Sequence, residues 1–108
     1  MDILKLNYPD PADRLCTLLT LKSGESASLE VGTACLKAGT RMPDRGVSAH
    51  PRHEISIILE GEIETTSSDK TVVLGAGDIV SIAAREPQSS IVRQDSRLIY
   101  PFFGDPQQ

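Results

Sequence analysis

The chain has no tryptophan and only two residues each of phenylalanine, tyrosine, histidine and cysteine among its 108 positions. So few rings leave little for base stacking. The 11 Lys plus Arg against 15 Asp plus Glu, a formal charge of −4, deny it the cationic surface that nucleic acid or an anionic membrane attracts. Long apolar runs are also missing, the longest being a few residues against the ~20 of a membrane span. The start Met1-Asp2-Ile3-Leu4-Lys5 has neither the charged opening nor the cleavage site of a signal peptide. The expectation is a cytoplasmic protein with no nucleic-acid or membrane partner. Cys16 and Cys35 lack CxxC spacing, so they read as reduced thiols in a core rather than a disulfide.

What is present is ordinary for a globular protein. Apolar residues make up 39 % and charged residues 24 %, which excludes disorder and collagen-like structure. Halves of such a chain would bury too little surface to stand alone, so a single domain is expected over 1–108. Its core is placed at about 26–103. An N-terminal arm over 1–13, with Pro9 and Pro11, is expected to include an edge strand, and 105–108 reads as a short frayed tail.

The apolar residues follow the period of two of a half-buried strand. Ala27, Leu29, Val31 and Cys35 alternate with Ser28 and Glu30, and short runs rich in Ile, Val and Thr recur at Arg14–Lys22, Glu54–Glu60, Glu62–Thr66, Lys70–Leu74, Asp78–Ala83, Ser89–Gln94 and Arg97–Phe103. Turn chemistry separates them at Lys22-Ser23-Gly24-Glu25, Lys37-Ala38-Gly39-Thr40, Glu60-Gly61, Ser67-Ser68-Asp69-Lys70, Gly75-Ala76-Gly77-Asp78, Glu86-Pro87 and Asp95-Ser96. No stretch carries the period of an amphipathic helix. This is the pattern of an all-β sandwich or barrel. Gly75-Ala76-Gly77-Asp78 lacks a following GK[ST] and reads as a turn, not a phosphate loop.

Ile55, Ile57 and Leu59 fall on one face of their strand and Ser56 and Ile58 on the other, so both faces need cover. A small barrel has only one interior. A second copy of the chain is the most economical cover for the outer face, so a homodimer is expected, with the N-terminal arm as the alternative.

Both histidines lie in Gly46-Val47-Ser48-Ala49-His50-Pro51-Arg52-His53-Glu54-Ile55-Ser56-Ile57-Ile58-Leu59-Glu60-Gly61-Glu62. This segment resembles the first motif of the cupin superfamily, with His50 at the second histidine, Glu54 at the glutamate and Gly61 at the glycine. Ser48 stands where the first histidine is expected. Gly77-Asp78 and the strand after it resemble the start of the second motif. There Ala83 replaces the usual Pro, Arg85 the usual Gly, Gln88 the metal-binding His and Val92 the usual Asn. The resemblance covers about Leu29 to Phe103. It implies a double-stranded β-helix, the RmlC-like cupin jelly roll, and a small-molecule ligand held inside it.

Parity agrees with that placement: Ser48, His50, Glu54, Ser56 and Ile58 share even numbering and point into one interior if the strand has no bulge, and His53 points outward. Two chemistries follow for the site. His50, Glu54 and Gln88 supply one imidazole, one carboxylate and one amide oxygen toward a divalent metal (Mn, Fe, Zn or Ni), a weaker set than three histidines. Alternatively the same groups satisfy one another without a metal, with His50 as proton shuttle, Glu54 orienting it, and Gln88 and Tyr100 positioning substrate. The resemblance allows an isomerase, lyase or oxygenase, and equally a non-catalytic ligand-binding or sensing module. Arg41, Arg45, Arg52, Arg85 and Arg93 fall near the segments that frame a cupin barrel mouth, and Arg41 and Arg52 are the candidates to bind an anionic substrate.

Overall fold

The computed structural model describes residues 1–24 and 27–104. The end of the first expected turn and the expected tail over 105–108 lie outside them. The described residues form seven strands: β1 (Leu15–Ser23), β2 (Ala27–Leu36), β3 (Arg41–Met42), β4 (His53–Ser67), β5 (Lys70–Gly75), β6 (Ile79–Ile82) and β7 (Gln88–Gly104). Every pairing between them is antiparallel. Nothing among the described residues is a helix, so none is long and apolar enough to cross a membrane.

Two expected turns are absent. Glu54–Glu60 and Glu62–Thr66 are one strand, as are Ser89–Gln94 and Arg97–Phe103. Each of the two long strands bends in its middle and serves two sheets. The first half of β4 pairs with β6 and with the second half of β7, which also carries β2 and then β1. The second half of β4 pairs with β5 and with the first half of β7, which also carries β3. A strand that changes sheets makes the corner of a sandwich or barrel through a bulge. Here the register of β4 on β7 shifts three times between Ile58 and Ile63. Gly61 sits at that corner with φ +99°, a conformation an L side chain resists. Ser96 faces it from β7, accepting the Glu62 N–H at 3.1 Å and donating to the Gln94 carbonyl at 2.7 Å. The bulge also changes which residues face inward: Ile58 is buried before it, Ile63 and Thr65 after it.

The two sheets close on a core of Ala34, Leu36, Ile58, Ile63, Val92, Leu98 and Tyr100, with Met42, Leu74 and Phe102 packed against it. Fully burying such a side chain contributes about 1.5–3 kcal/mol. The turn at Gly75–Asp78 is closed by the Asp78 carboxylate accepting the Gly75 N–H at 2.7 Å, and Gly77 N–H donates to the Ile58 carbonyl at 2.8 Å. It locks β4 to the β5–β6 connection.

The N-terminal segment contains no edge strand; its first ten residues run without regular structure. Pro9 and Pro11 cannot donate to a ladder. The segment is held by side chains instead: the Thr33 hydroxyl donates to the Asn7 carbonyl at 2.5 Å, and the Arg97 guanidinium lies over Tyr8 at 4.9 Å. Cys16 and Cys35 are both free thiols, and half-buried rather than in the core.

Candidate functional site

The approach to β4 is fastened at two points. Ser48 and Gln88 exchange backbone hydrogen bonds at 2.9 and 2.8 Å, and the Arg85 N–H donates to the His50 carbonyl at 2.6 Å. Arg85, standing where the resemblance expects glycine, adopts the left-handed φ of +68° itself. So fastened, the loop and the start of β4 bring Ser48, His50, Pro51, Arg52, Glu54, Ser56 and Ile58 to the wall of one cavity of about 310 Å³. Gln88 and Tyr100 line it too. The interval from Ser48 to Ile58 precedes the bulge at Gly61, which is why simple parity works across it.

Glu54 and Gln88 are joined directly, the amide Nε2 donating to Glu54 Oε2 at 2.6 Å. The Nε2 of His50 lies 3.9 Å from the same oxygen. Of the hydrogen bonds expected within this group, the one donated by Gln88 to Glu54 forms, while His50 stays at ion-pair range of the same oxygen and donates no hydrogen bond to it. His50 is also the more accessible of the two, 46 % exposed at the side chain against 17 % for Glu54. Phe102, which periodicity did not single out, packs against this group: its ring centroid is 5.4 Å from that of His50, and the Arg52 guanidinium lies 5.2 Å from it. The parity of β7 carries the missed signal, since Phe102 is two residues beyond Tyr100 and opposite Glu54.

Tyr100 is buried and its hydroxyl is turned against Gly32. Burial pushes its pKa up, the Glu30 charge adds to that, and the neighbouring Thr17 side chain opposes it. A group whose folded pKa is raised adds stability that is complete below its unfolded value, near 10, and is lost as pH rises through the folded value. Stability is therefore expected to decline above about pH 10. In a Tyr8→Phe protein, tyrosinate absorbance should appear only at higher pH than in the unfolded chain. Coincident titration curves would remove Tyr100 from the account.

The arginines separate. Arg41 does not line the cavity; its guanidinium donates to the Pro43 and Gly46 carbonyls at 2.5 and 2.9 Å, tying off the loop that follows β3. Arg93 pairs with Glu62 and Glu64 at 3.4 and 3.2 Å, which holds its pKa above the usual value. Of the five expected near the mouth, Arg52 is the one that lines the cavity. His53 is on the outer face, its ring stacked on Phe103 at 4.8 Å and its Nε2 2.5 Å from the Ser81 hydroxyl.

The chemistry of the donors decides whether a metal fits. Among the described residues no three His, Cys, Asp or Glu side chains converge. Gln88 turns its NH₂ rather than its amide oxygen toward Glu54 and occupies Oε2, so the donors left for a metal are one imidazole and the other carboxylate oxygen. Such a set does not fit a tightly held transition metal.

An antiparallel jelly roll with a polar cluster opening into an apolar barrel defines a cupin-type β-barrel domain. The chain belongs to the cupin family: the cupin domain profile matches residues 32–100. Its fold is similar to the cupin domain of Schizosaccharomyces pombe Cnp3, at TM-score 0.65 and 21 % identity, covering 84 % of this chain and 64 % of that one. A cupin protein of Bacteroides fragilis is 28 % identical at TM-score 0.56, covering 76 % of this chain and 67 % of its own. A salicylate 1,2-dioxygenase from Pseudoaminobacter salicylatoxidans matches at TM-score 0.57 and 20 % identity over 74 % of this chain, which spans only 21 % of that enzyme. No curated protein sequence matches.

Proposed function

We propose that this cupin domain binds a small organic molecule inside its barrel and exchanges a proton with it through His50. The observation that carries the reading is the cavity of about 310 Å³, at the lower end of the ~300–1,000 Å³ usual for small-molecule sites, with His50, Glu54 and Gln88 on its wall. His50 reaches the ligand; its imidazole accepts a proton in one direction and returns it in the other. The Glu54 carboxylate behind it compensates the imidazolium, and the Gln88 amide keeps that carboxylate in place. Proton removal and return suits isomerisation or elimination on a small substrate.

The test is a thermal-shift screen of organic acids, amino acids and nucleotide sugars on wild type and His50→Ala. A ligand at 100-fold its Kd adds about 2.7 kcal/mol, a Tm rise on the order of 10 °C for a domain of this size. The effect should be largely lost in His50→Ala, together with turnover of that ligand. Stabilisation without turnover identifies a sensing module instead. Ligands that stabilise the two proteins equally would overturn the role of His50. Elemental mass spectrometry of tag-free protein should find no stoichiometric Mn, Fe, Ni or Zn, and near-stoichiometric metal lost in His50→Ala would restore metal-assisted chemistry.

The outer face of the first sheet supports a homodimer. Leu29, Val31, Ile57 and Ile99 are half-buried there, and Phe103 and Ile79 are 42 % and 66 % exposed. The arm covers part of this sheet through Asn7 and Tyr8, while its own Ile3, Leu4 and Leu6 stay exposed. Light scattering at micromolar concentration should give about twice 11.7 kDa, and Ile79→Glu should shift the mass toward one copy. A monomeric wild type would sink the dimer. The free thiols suit the reducing cytoplasm in which we place it.

A further inference from the structure

The cavity is chemically lopsided. His50, Arg52, Glu54 and Gln88 gather around Phe102, linked by the contacts given above. Much of the remaining lining is aliphatic, including Leu36, Ile58, Ile63, Leu74, Ile82 and Leu98. Thr65 and Ser90, which also line it, hydrogen-bond each other at 2.8 Å and leave no buried side-chain polar atom there seeking a partner.

The charges at the polar end are unequal in their commitments. Glu54 accepts from Gln88 and faces His50. Arg52 has neither an ion pair nor a side-chain hydrogen bond among the described residues; its guanidinium rests on the face of Phe102. A guanidinium stacked on a ring keeps its edge, with its fork of N–H donors, available to a planar anion. An apolar wall rejects charge but gains from every CH group it covers.

Resting on the proposed function, we infer that the ligand is an amphipathic monocarboxylate: its carboxylate meets Arg52 at the mouth and an unbranched or aromatic hydrocarbon body lies among the aliphatic side chains. A cavity of about 310 Å³ holds roughly ten water-sized volumes, hence a body and head of about ten non-hydrogen atoms. A dianion with its charges at opposite ends does not suit it, because the second charge would lie against the aliphatic wall, away from Arg52 and His50. A sugar does not suit it either, since its hydroxyls would find too few partners there.

Isothermal titration with phenylacetate, phenylacetamide, hexanoate, hexanamide, acetate and adipate tests this on wild type and Arg52→Gln, with circular dichroism melts confirming that the variant folds. Phenylacetate and hexanoate should bind wild type roughly tenfold or more tighter than their amides, and Arg52→Gln should erase that preference while leaving the amides unchanged. Acetate and adipate should bind at least about tenfold more weakly than hexanoate. Amides that bind as tightly as the acids, or a preference that survives Arg52→Gln, would overturn the anionic head while leaving the barrel as the binding site. Acetate binding as well as hexanoate would overturn the apolar body. Failure of every probe to bind wild type would overturn this inference and weigh against the proposed function as well, which the wider screen with His50→Ala then decides on its own.

Discussion

Gly61→Ala should lower the melting temperature by about 15–25 °C, or prevent folding altogether. Two costs act together at this corner of β4. The backbone has φ +99°, which costs an L side chain roughly 1–2 kcal/mol. A Cβ there would also lie 2.5 Å from the Asp95 carbonyl and 2.7 Å from Ser96 Cα, and would overlap the Ser96 hydroxyl. Those atoms are mostly backbone of β7 and cannot rotate away, so overpacking adds about 1–3 kcal/mol. The sum is a large part of the ~5–15 kcal/mol that stabilises a domain. Gly77→Ala is the control, since Gly77 has φ +91° but nothing within 4 Å of its Cβ position. It should lose only the conformational share, about 1–2 kcal/mol. Denaturant midpoints for the two variants separate strain from overlap. Equal losses would mean that the close approach of β4 and β7 at Ser96 is not what requires glycine.

Gly32→Ala should cost about 2–3 kcal/mol by a purely steric route and weaken any ligand held in the barrel. Gly32 is opposite Tyr100 in the β2–β7 ladder, and its φ is not left-handed. A Cβ would lie 2.5 Å from the Tyr100 Cζ and hydroxyl oxygen and 2.6 Å from the Cys16 carbonyl. The tyrosine ring is the softer neighbour. Pushed away from β2, it moves toward the cavity it lines and reduces the space for a hydrocarbon body. A double-mutant cycle with Tyr100→Leu reads this directly: the smaller side chain should recover about 1 kcal/mol or more of the Gly32→Ala loss. Strict additivity would leave the contact with Cys16 as the sole cause and remove the link to ligand binding.

Much of this architecture was legible beforehand for a local reason. A strand has a period of two, and that period needs only neighbours in the chain to be seen. The all-β class and the strand cores followed from it. So did the shared interior of Ser48, His50, Glu54, Ser56 and Ile58, all of which line the cavity. Glycine positions were legible too, but not what they do. Glu60-Gly61 reads equally well as a turn or a bulge, and the partner strand decides between them. Here β7 runs alongside without a break, so the chain bends and continues. The same holds for Asp95-Ser96, where β7 continues through the expected turn beside β4. The edge strand expected in the arm was lost because prolines withdraw donors from a ladder that otherwise had a free edge to join.

The residues of the site divide along the same line. Sequence by itself determined the fold class, the inward parity of the segment around His50 and the candidate groups His50, Glu54 and Gln88, because each depends on local spacing or on a motif carried in one stretch of chain. The tertiary structure alone decided how those groups are connected. Gln88, 34 residues from Glu54, donates to its carboxylate, while His50 stops at 3.9 Å from the same oxygen. It alone decided which arginine lines the cavity, since Arg41 spends its donors on the carbonyls of its own loop and Arg93 on the carboxylates of β4. Charge and donor capacity are properties of a residue, but whether they remain available depends on what the fold places within hydrogen-bond reach. Only closure of the two sheets through the bulge at Gly61 determines that.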